Sequence, residues 1–398
     1  MKNFFKQLPV QLVVSILFAF FLGSVLDLTT ISFFYTVSTC IIKLLIFILP
    51  ILVFSFIFRA LIVSSTSLTL LLLIFAGTTI SNIVAVLVAF FFGKTFLSSF
   101  GMTFSQDFAE KLASQVPLLF QFNLPSLLGA EKALALGIVL GACFSFLKDG
   151  TKVKKIAQEV SLKLNLAIGF FLKRIFIPLL PLYVFGFCLK LSYERSLLYL
   201  FQEFGKVFIF GMFILLCYLF LLYFLGSGLN VKRTIFNIKT MLPAGLTGFS
   251  TMSSAATMPV TLNCTEEATQ DKNFSQLIIP ATCNIHMLGD DIMIVMSALT
   301  LLSAFGMEIA PFMEMIPFAF AFSLAKLSCV GVPGASVLVI LPVLQSYLGF
   351  SSEMMTIITT IYILQDSFVT ASNVMGNGAF ALIIQRLYSR LKALRFAT

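Results

Sequence analysis

The sequence predicts an all-α integral membrane protein. Three observations carry that prediction: a composition too apolar for water, a series of apolar runs about as long as a bilayer is thick, and a last third in which such runs are broken by small and polar residues. The chain has 398 residues, 59% hydrophobic and only 11% charged, where a soluble domain carries about 25% charge. Its mean hydropathy is +1.04. Too little polar side chain remains to cover a surface facing water, and a chain buried in lipid must satisfy its backbone within helices or a closed barrel.

A helix needs about 20 apolar residues to cross the hydrocarbon core. The first run covers roughly 9–29, the second 40–63 (CIIKLLIFILPILVFSFIFRALIV) and the third 67–93, ending at FFFGK. Residues 94–131 are mixed and polar and are expected outside the core. A shorter run, 132–148, follows. The fifth run, 162–191, is interrupted by Lys173, Arg174, Pro178 and Pro181; the sixth spans 195–227. The N-terminus is basic and then apolar, like a signal peptide. No small-residue cleavage site follows, so it is read as a retained first span.

The net charge of +9 does not indicate a nucleic-acid partner. The basic residues cluster in short loops, and no basic face with aromatic platforms is visible. Lys148, Lys152, Lys154, Lys155 and Lys163 form one cluster; Lys232, Arg233 and Lys239 form another. Lys2 and Lys6 precede the first run, and Arg386, Arg390, Lys392 and Arg395 follow the last. Positive charge marks the cytoplasmic side, which predicts both termini in the cytoplasm. The seven cysteines include no CxxC spacing and read as small buried hydrophobes. No metal or cofactor motif is found.

From 240 to 385 the runs are broken by FSTMSSAATMPVTL and by CVGVPGASV. Each break sits between apolar pieces too short to span alone, as in re-entrant hairpins whose tips are buried in protein or line a wet cavity. Kinks at Pro259 and Pro333 are the alternative, but they leave the Ser/Thr density at 247–261 without a reason.

Four motifs in this region, in order and spacing, resemble the dicarboxylate/amino acid:cation symporters, the family of the excitatory glutamate transporters and neutral amino acid exchangers. STMSSAATMPVTL resembles a serine-rich first hairpin tip, NIHMLGD the break of a seventh span (NMDGT in the family), GVPGAS a second hairpin tip, and DSFVTASNVMGNG an eighth-span signature. Together they cover about a third of the chain.

The resemblance implies eight transmembrane helices plus two re-entrant hairpins in an inverted-repeat transporter fold. Residues 1–66 would be scaffold spans 1–2, and 67–93 would be span 3 of a moving transport domain. Residues 94–194 would hold the extramembrane segment and scaffold spans 4–5, and 195–398 the rest of the transport domain. It implies a homotrimer in the cell's plasma (inner) membrane, with an amino acid bound between the two tips and two broken last spans.

Residue by residue, Asp366 matches the carboxylate that holds the substrate ammonium, although a packing or snorkelling role is the alternative. Asn373 matches the α-carboxylate ligand and Thr370 its neighbour; 366, 370 and 373 share one helix face. Ser253 and Ser254 match the first tip, where backbone N–H groups can receive an anion. Val332, Pro333 and Gly334 match the gating second tip.

The departures narrow the function. The family's acidic transporters place an arginine where this chain has Val369, which offers no donor; a neutral or polar substrate is therefore expected. Asp290 replaces a threonine. It either faces the pocket, repelling acidic substrates, or pairs with a nearby base. At the family's sodium-binding positions stand His286, Leu288 and Asn377, with Met287 between the first two; a hard cation wants oxygens, so this site reads as degraded. Lys326 either reaches the gate region as a tethered cation, able to exchange a proton, or snorkels to the interface. His286 either titrates or is a satisfied core group. The implied coupling ion is sodium or a proton. A channel would show a ring of charges or an unbroken polar lining, and an enzyme a nucleophile and base within reach; neither is evident.

Overall fold

The computed structural model describes residues 8–62, 68–99, 116–120, 130–145, 147, 151–195, 197–327, 329 and 333–397. Among them there is no strand. Fourteen α-helices are described: α1 (Leu8–Leu22), α2 (Leu28–Ile62), α3 (Leu68–Ser99), α4 (Ala130–Ser145), α5 (Lys152–Phe171), α6 (Ile177–Tyr193), α7 (Leu197–Gly226), α8 (Val231–Thr251), α9 (Ser254–Thr269), α10 (Lys272–Thr282), α11 (Leu288–Ala304), α12 (Met315–Lys326), α13 (Ala335–Leu348) and α14 (Ser352–Ala397).

Among the described residues, four stretches are long and apolar enough to cross a bilayer: Leu73–Ser99, Lys152–Tyr193, Phe204–Gly226 and Ser352–Arg390. Phe21, Ile80, Phe170, Ile209, Phe213 and Leu246 point outward and are exposed, as lipid-facing side chains must be. The chain is an integral membrane protein. Four of its cysteines are buried, whereas Cys143 and Cys217 lie exposed on α4 and α7, so burial holds for only part of that set.

The helix limits follow local chemistry. The fifth run is longer than its apolar part: helix begins at Lys152, and α5 joins α6 through a π-helical turn, Leu172–Phe176. Pro178 opens α6; it has no N–H to give to the preceding turn, and wider turns absorb such losses. The second run also begins earlier than its apolar core, at Leu28, because Asp27 meets the Thr30 N–H and hydroxyl at the start of α2. Of segment 94–131, residues 100–115 and 121–129 lie outside the described residues, while α3 continues to Ser99.

Two helix pairs fold back on themselves, the first through a tight tip. Met252 takes the left-handed conformation (φ 50°), and the Ser253 side chain then accepts the Ala256 N–H at 3.2 Å, capping α9. Only these two residues separate α8 from α9, so most of the Ser/Thr-rich stretch is helical. Thr265 lies 3.6 Å from Met241, which sets the pair antiparallel. In the second pair Phe318 of α12 packs on Tyr347 of α13, their ring centroids 6.3 Å apart. Its tip contains Pro333 and Gly334; Val332, the third tip residue expected to gate, lies outside the described residues, as does Gly331. Between α10 and α11 the chain leaves the helix over residues 283–287.

One expectation fails. The eighth span is not broken: α14 is continuous over 46 residues. Its signature has no proline, and Thr370, Ser372 and Asn377 each bond within the helix, to groups four residues earlier. The backbone ladder is therefore kept.

The helices pack in two sets. Helices α1, α2, α4, α5 and α6 pack on one another, and so do α3 and α7–α14, with few direct contacts between the sets. Among the described residues, polar contacts join them near the start of α14: the Tyr183 hydroxyl donates to the Thr356 carbonyl (3.0 Å), and Lys190 lies 3.6 Å from Glu353.

Lipid gives helices no hydrophobic reason to associate, so close backbone approach carries much of the packing. Gly186 is such a point: a Cβ there would overlap the Phe34 carbonyl and the Ser38 hydroxyl, while Ser38 donates to the Tyr183 carbonyl at 2.9 Å. Gly186→Leu is expected to pry α6 from α2 and to destabilise the detergent-purified protein by ~2 kcal/mol or more. An unchanged thermal unfolding curve would show that this contact is slack.

Candidate functional site

Both tips and the 283–287 break converge on one stretch of α14, residues 362–377. On α8, Gly248 rests against the Thr370 backbone, and Phe249 packs edge-on against Phe368 with centroids 5.0 Å apart. These contacts bring the first tip, with buried Ser253 and Ser254, alongside Asp366–Thr370. The second tip arrives from the other side. The Gly334 N–H donates to Asp366 Oδ2 at 2.8 Å. Gly334 has φ +74°, a conformation that costs a residue with a Cβ roughly 1–2 kcal/mol, so glycine is what lets the tip present its N–H there.

Asp366 is fully engaged. Oδ1 accepts the Thr370 hydroxyl at 2.9 Å and lies 3.4 Å from the Tyr362 hydroxyl. Tyr362 donates to Asp290 Oδ1 at 2.7 Å, and Asp290 Oδ2 lies 3.1 Å from Lys326 Nζ. Lys326 and Asp290 are 0% exposed. Of the two alternatives for each, Asp290 has its base and Lys326 does not snorkel: it is held inside, with Nζ 5.4 Å from the Phe322 ring centroid. The path Lys326–Asp290–Tyr362–Asp366–Gly334 thus runs from the arm of the second helix pair through α11 and α14 to the tip of that same pair.

On the other side of the break, Asn373 Oδ1 accepts the Gly289 N–H at 2.8 Å. Using the oxygen there fixes the amide orientation and leaves the NH₂ as the group able to meet an anion. Val369 is fully buried, with its carbonyl against Gly289. It brings no polar atom to this place beyond its backbone.

The positions expected to hold a cation are built differently. Leu288 packs its side chain onto Gly376. Asn377 donates to the Asn373 carbonyl (2.9 Å) and to the His286 carbonyl (3.4 Å). His286 shares a 2.9 Å hydrogen bond with Ser81 and stacks on Phe380, its Nδ1 unpartnered. Met287 is tied to the second helix pair through Ser336, 3.2 Å from its sulfur.

Four participants lie outside the expected site residues. Tyr362 is the bridge; extending the polar face of 366, 370 and 373 one turn upstream would have found it. Ser81 and Asn82 of α3 hold the break, Asn82 donating to the Ile285 carbonyl at 2.8 Å. Asp291, one residue past Asp290, is fully buried with no hydrogen-bond partner at either oxygen.

The arrangement has a counterpart among known sequences. A profile of the sodium:dicarboxylate symporter family matches residues 8–387. The chain belongs to this family. Similar relatives include excitatory amino acid transporter 3 of Mus musculus, 30% identical over 168 residues, which are 42% of this chain and 31% of that protein. The serine/threonine transporter SstT of Acinetobacter baylyi is 25% identical over 268 residues, 64% of this chain and 62% of that protein. Excitatory amino acid transporter 1 of Homo sapiens is 29% identical over 168 residues, covering 42% of this chain and 30% of that relative. The matches thus span from under a third to just under two thirds of these relatives.

The family's description implies a sodium ion, and the donors around Leu288 do not fit one. An apolar side chain fills the place beside Gly376, and the Asn377 amide already gives an N–H to one carbonyl of the break, that of His286.

Among the described residues of this symporter-family member, Tyr362 is the hydroxyl that joins Asp290 to Asp366. Tyr362→Phe leaves a buried carboxylate oxygen without its donor, so a loss of about 1–3 kcal/mol is expected. Thermal unfolding in detergent measures it; a change under ~0.5 kcal/mol, the level of a neutral surface substitution, would contradict the network.

Proposed function

We propose that this protein is a secondary active transporter of a neutral or polar amino acid. The observation that carries the reading is the convergence of two helix–tip–helix pairs and one helix break on Asp366–Asn373, where a buried carboxylate and an oriented amide sit about two helical turns apart. A carboxylate suits a substrate ammonium; the Asn373 NH₂ and the N–H groups of the capped first tip suit a carboxylate. In this reading Asp366 binds the ammonium with Thr370 beside it, and Asn373 with Ser253 and Ser254 binds the α-carboxylate. Val332, Pro333 and Gly334 form the gate, released when Gly334 leaves Asp366.

Val369 supports a non-acidic substrate, because no cation stands on this stretch of α14 to clamp a second carboxylate. The Leu288, His286 and Asn377 environment supports coupling by protons, by exchange, or by a reduced sodium set. A sodium-coupled symporter of glutamate or dicarboxylates is the competing reading, favoured by the family's description and by the excitatory relatives. An ion channel has less support.

We place eight spans and two re-entrant hairpins in the inner membrane, with both termini cytoplasmic. Spans 3 and 6–8 with the hairpins form the moving unit, α1, α2 and α4–α6 the scaffold of a homotrimer. The sparse contact between the two packed sets supports that division, since one must slide past the other.

The test is uptake into liposomes that hold purified protein and a mixture of unlabelled amino acids. Labelled neutral, acidic and cationic amino acids are supplied with sodium or choline outside, with or without a pH gradient. Sodium-independent uptake of a non-acidic amino acid is expected. Asp366→Asn should lower it by about 100-fold or more, the scale of an unpaired buried charge. Strict sodium dependence with glutamate or aspartate would overturn the reading.

A further inference from the structure

We infer that the Lys326–Asp290 ion pair is the wall that reads the substrate's side chain, and that it selects amino acids carrying a hydroxyl or carboxamide. This rests on the transporter reading above and names its substrate class.

The pair lies one hydroxyl away from Asp366, because Tyr362 touches both carboxylates, at 2.7 Å and 3.4 Å. In the proposed pose, a substrate whose ammonium meets Asp366 extends its side chain toward the pair. The pair is also incomplete as a hydrogen-bonding unit. Among the described residues, Lys326 Nζ and Asp290 Oδ2 have no hydrogen-bond partner beyond their mutual ion pair, although both residues are 0% exposed. An ammonium carries three donors, and a carboxylate about four acceptor sites. Buried polar groups are normally satisfied, and those that are not call for an explanation.

The capacity left over has a definite character. It offers N–H donors on one side and a carboxylate lone pair on the other, 3.1 Å apart. A hydroxyl or a carboxamide both donates and accepts, and so completes both halves at once. An alkyl side chain completes neither and leaves both desolvated. A charged side chain is rejected by the pair's neutrality: a carboxylate would have to separate Lys326 from Asp290, and an ammonium would do the reverse, each leaving one buried charge unpaired. Selection therefore works as much by the penalty on wrong side chains as by attraction to right ones.

Each half of the pair then has an opposite effect when removed. Asp290→Asn removes the carboxylate in contact with Lys326 and leaves only the more distant Asp291 to balance its charge, so acidic side chains gain. Lys326→Met leaves Asp290 uncompensated, so basic side chains gain. The double variant is neutral and apolar enough to retain the fold, and loses the advantage of polar over alkyl side chains.

The experiment measures the rise in melting temperature of the purified full-length protein with serine, asparagine, valine, aspartate or lysine, together with uptake competition in liposomes. The wild type is expected to favour serine and asparagine over valine, and to reject aspartate and lysine. Asp290→Asn should shift the aspartate-to-serine preference by about tenfold or more toward aspartate, and Lys326→Met the lysine-to-serine preference by a similar factor toward lysine. If either single variant folds and keeps the wild-type ranking, the inference is overturned while the transporter reading stands. If neither single variant gives monodisperse protein, the double variant decides: equal response to serine and valine supports the inference, and a retained preference for serine overturns it. A wild type that binds and transports valine as well as serine overturns the inference alone. A wild type that binds none of the five overturns both.

Discussion

The buried path from Lys326 through Asp290, Tyr362 and Asp366 to the Gly334 N–H is the constraint on which the rest of the site depends. Its members come from the second helix pair at both ends, α11 in the middle and α14 beyond. Charges inside a low-dielectric region are costly unless paired and hydrogen-bonded, so each member holds its neighbour in place. Without Tyr362, two carboxylates would face each other across a short gap with Lys326, Gly334 and Thr370 left to compensate. Without Gly334 in its left-handed turn, the tip could not bring an N–H to Asp366.

That path also explains why the break at 283–287 lies where it does. A helix that stops and restarts frees N–H groups at its new beginning. Gly289 gives one of these to Asn373, and Asp290 follows at once, in the first turn of α11, where helix dipoles favour an acid. The irregular backbone is tolerated because protein surrounds it: Asn82 and Asn377 donate to its carbonyls, and His286 is pinned between Ser81 and Phe380. Around this rigid centre the contact between the two packed helix sets is thin. Among the described residues its polar part lies near the start of α14, where buried Lys190 meets half-buried Glu353 and buried Tyr183 meets Thr356 and Thr360.

Much of this was legible in the residues. The apolar runs marked the helices because a bilayer leaves a spanning segment few alternatives, and GVPGAS marked a turn because glycine and proline set backbone angles locally. The i, i+4, i+7 spacing put Asp366, Thr370 and Asn373 on one face. The break expected in the eighth span was not there, because nothing in DSFVTASNVMGNG prevents the i−4 ladder, and likeness to a family motif carries no information on local backbone geometry. The Ser/Thr density at 247–261 overstated the first tip in the same way: threonine and serine hydroxyls bond back to carbonyls four residues earlier and stay helical, as Thr257 and Thr261 do.

The sequence by itself determined the solvent, the helical class, the family and which residues are polar inside apolar surroundings. Each follows from composition or from short-range spacing, where one residue's chemistry is enough. Only the tertiary structure decided the partners. Lys326 and Asp290 are 36 positions apart, Asp290 and Tyr362 72, and no local rule relates them. Whether a lysine snorkels or is buried, and whether an aspartate repels a substrate or holds a base, depends on which helices the packing brings within about 3 Å. That is a property of the assembled bundle, because the cost of an unpaired charge is felt only once water has been removed.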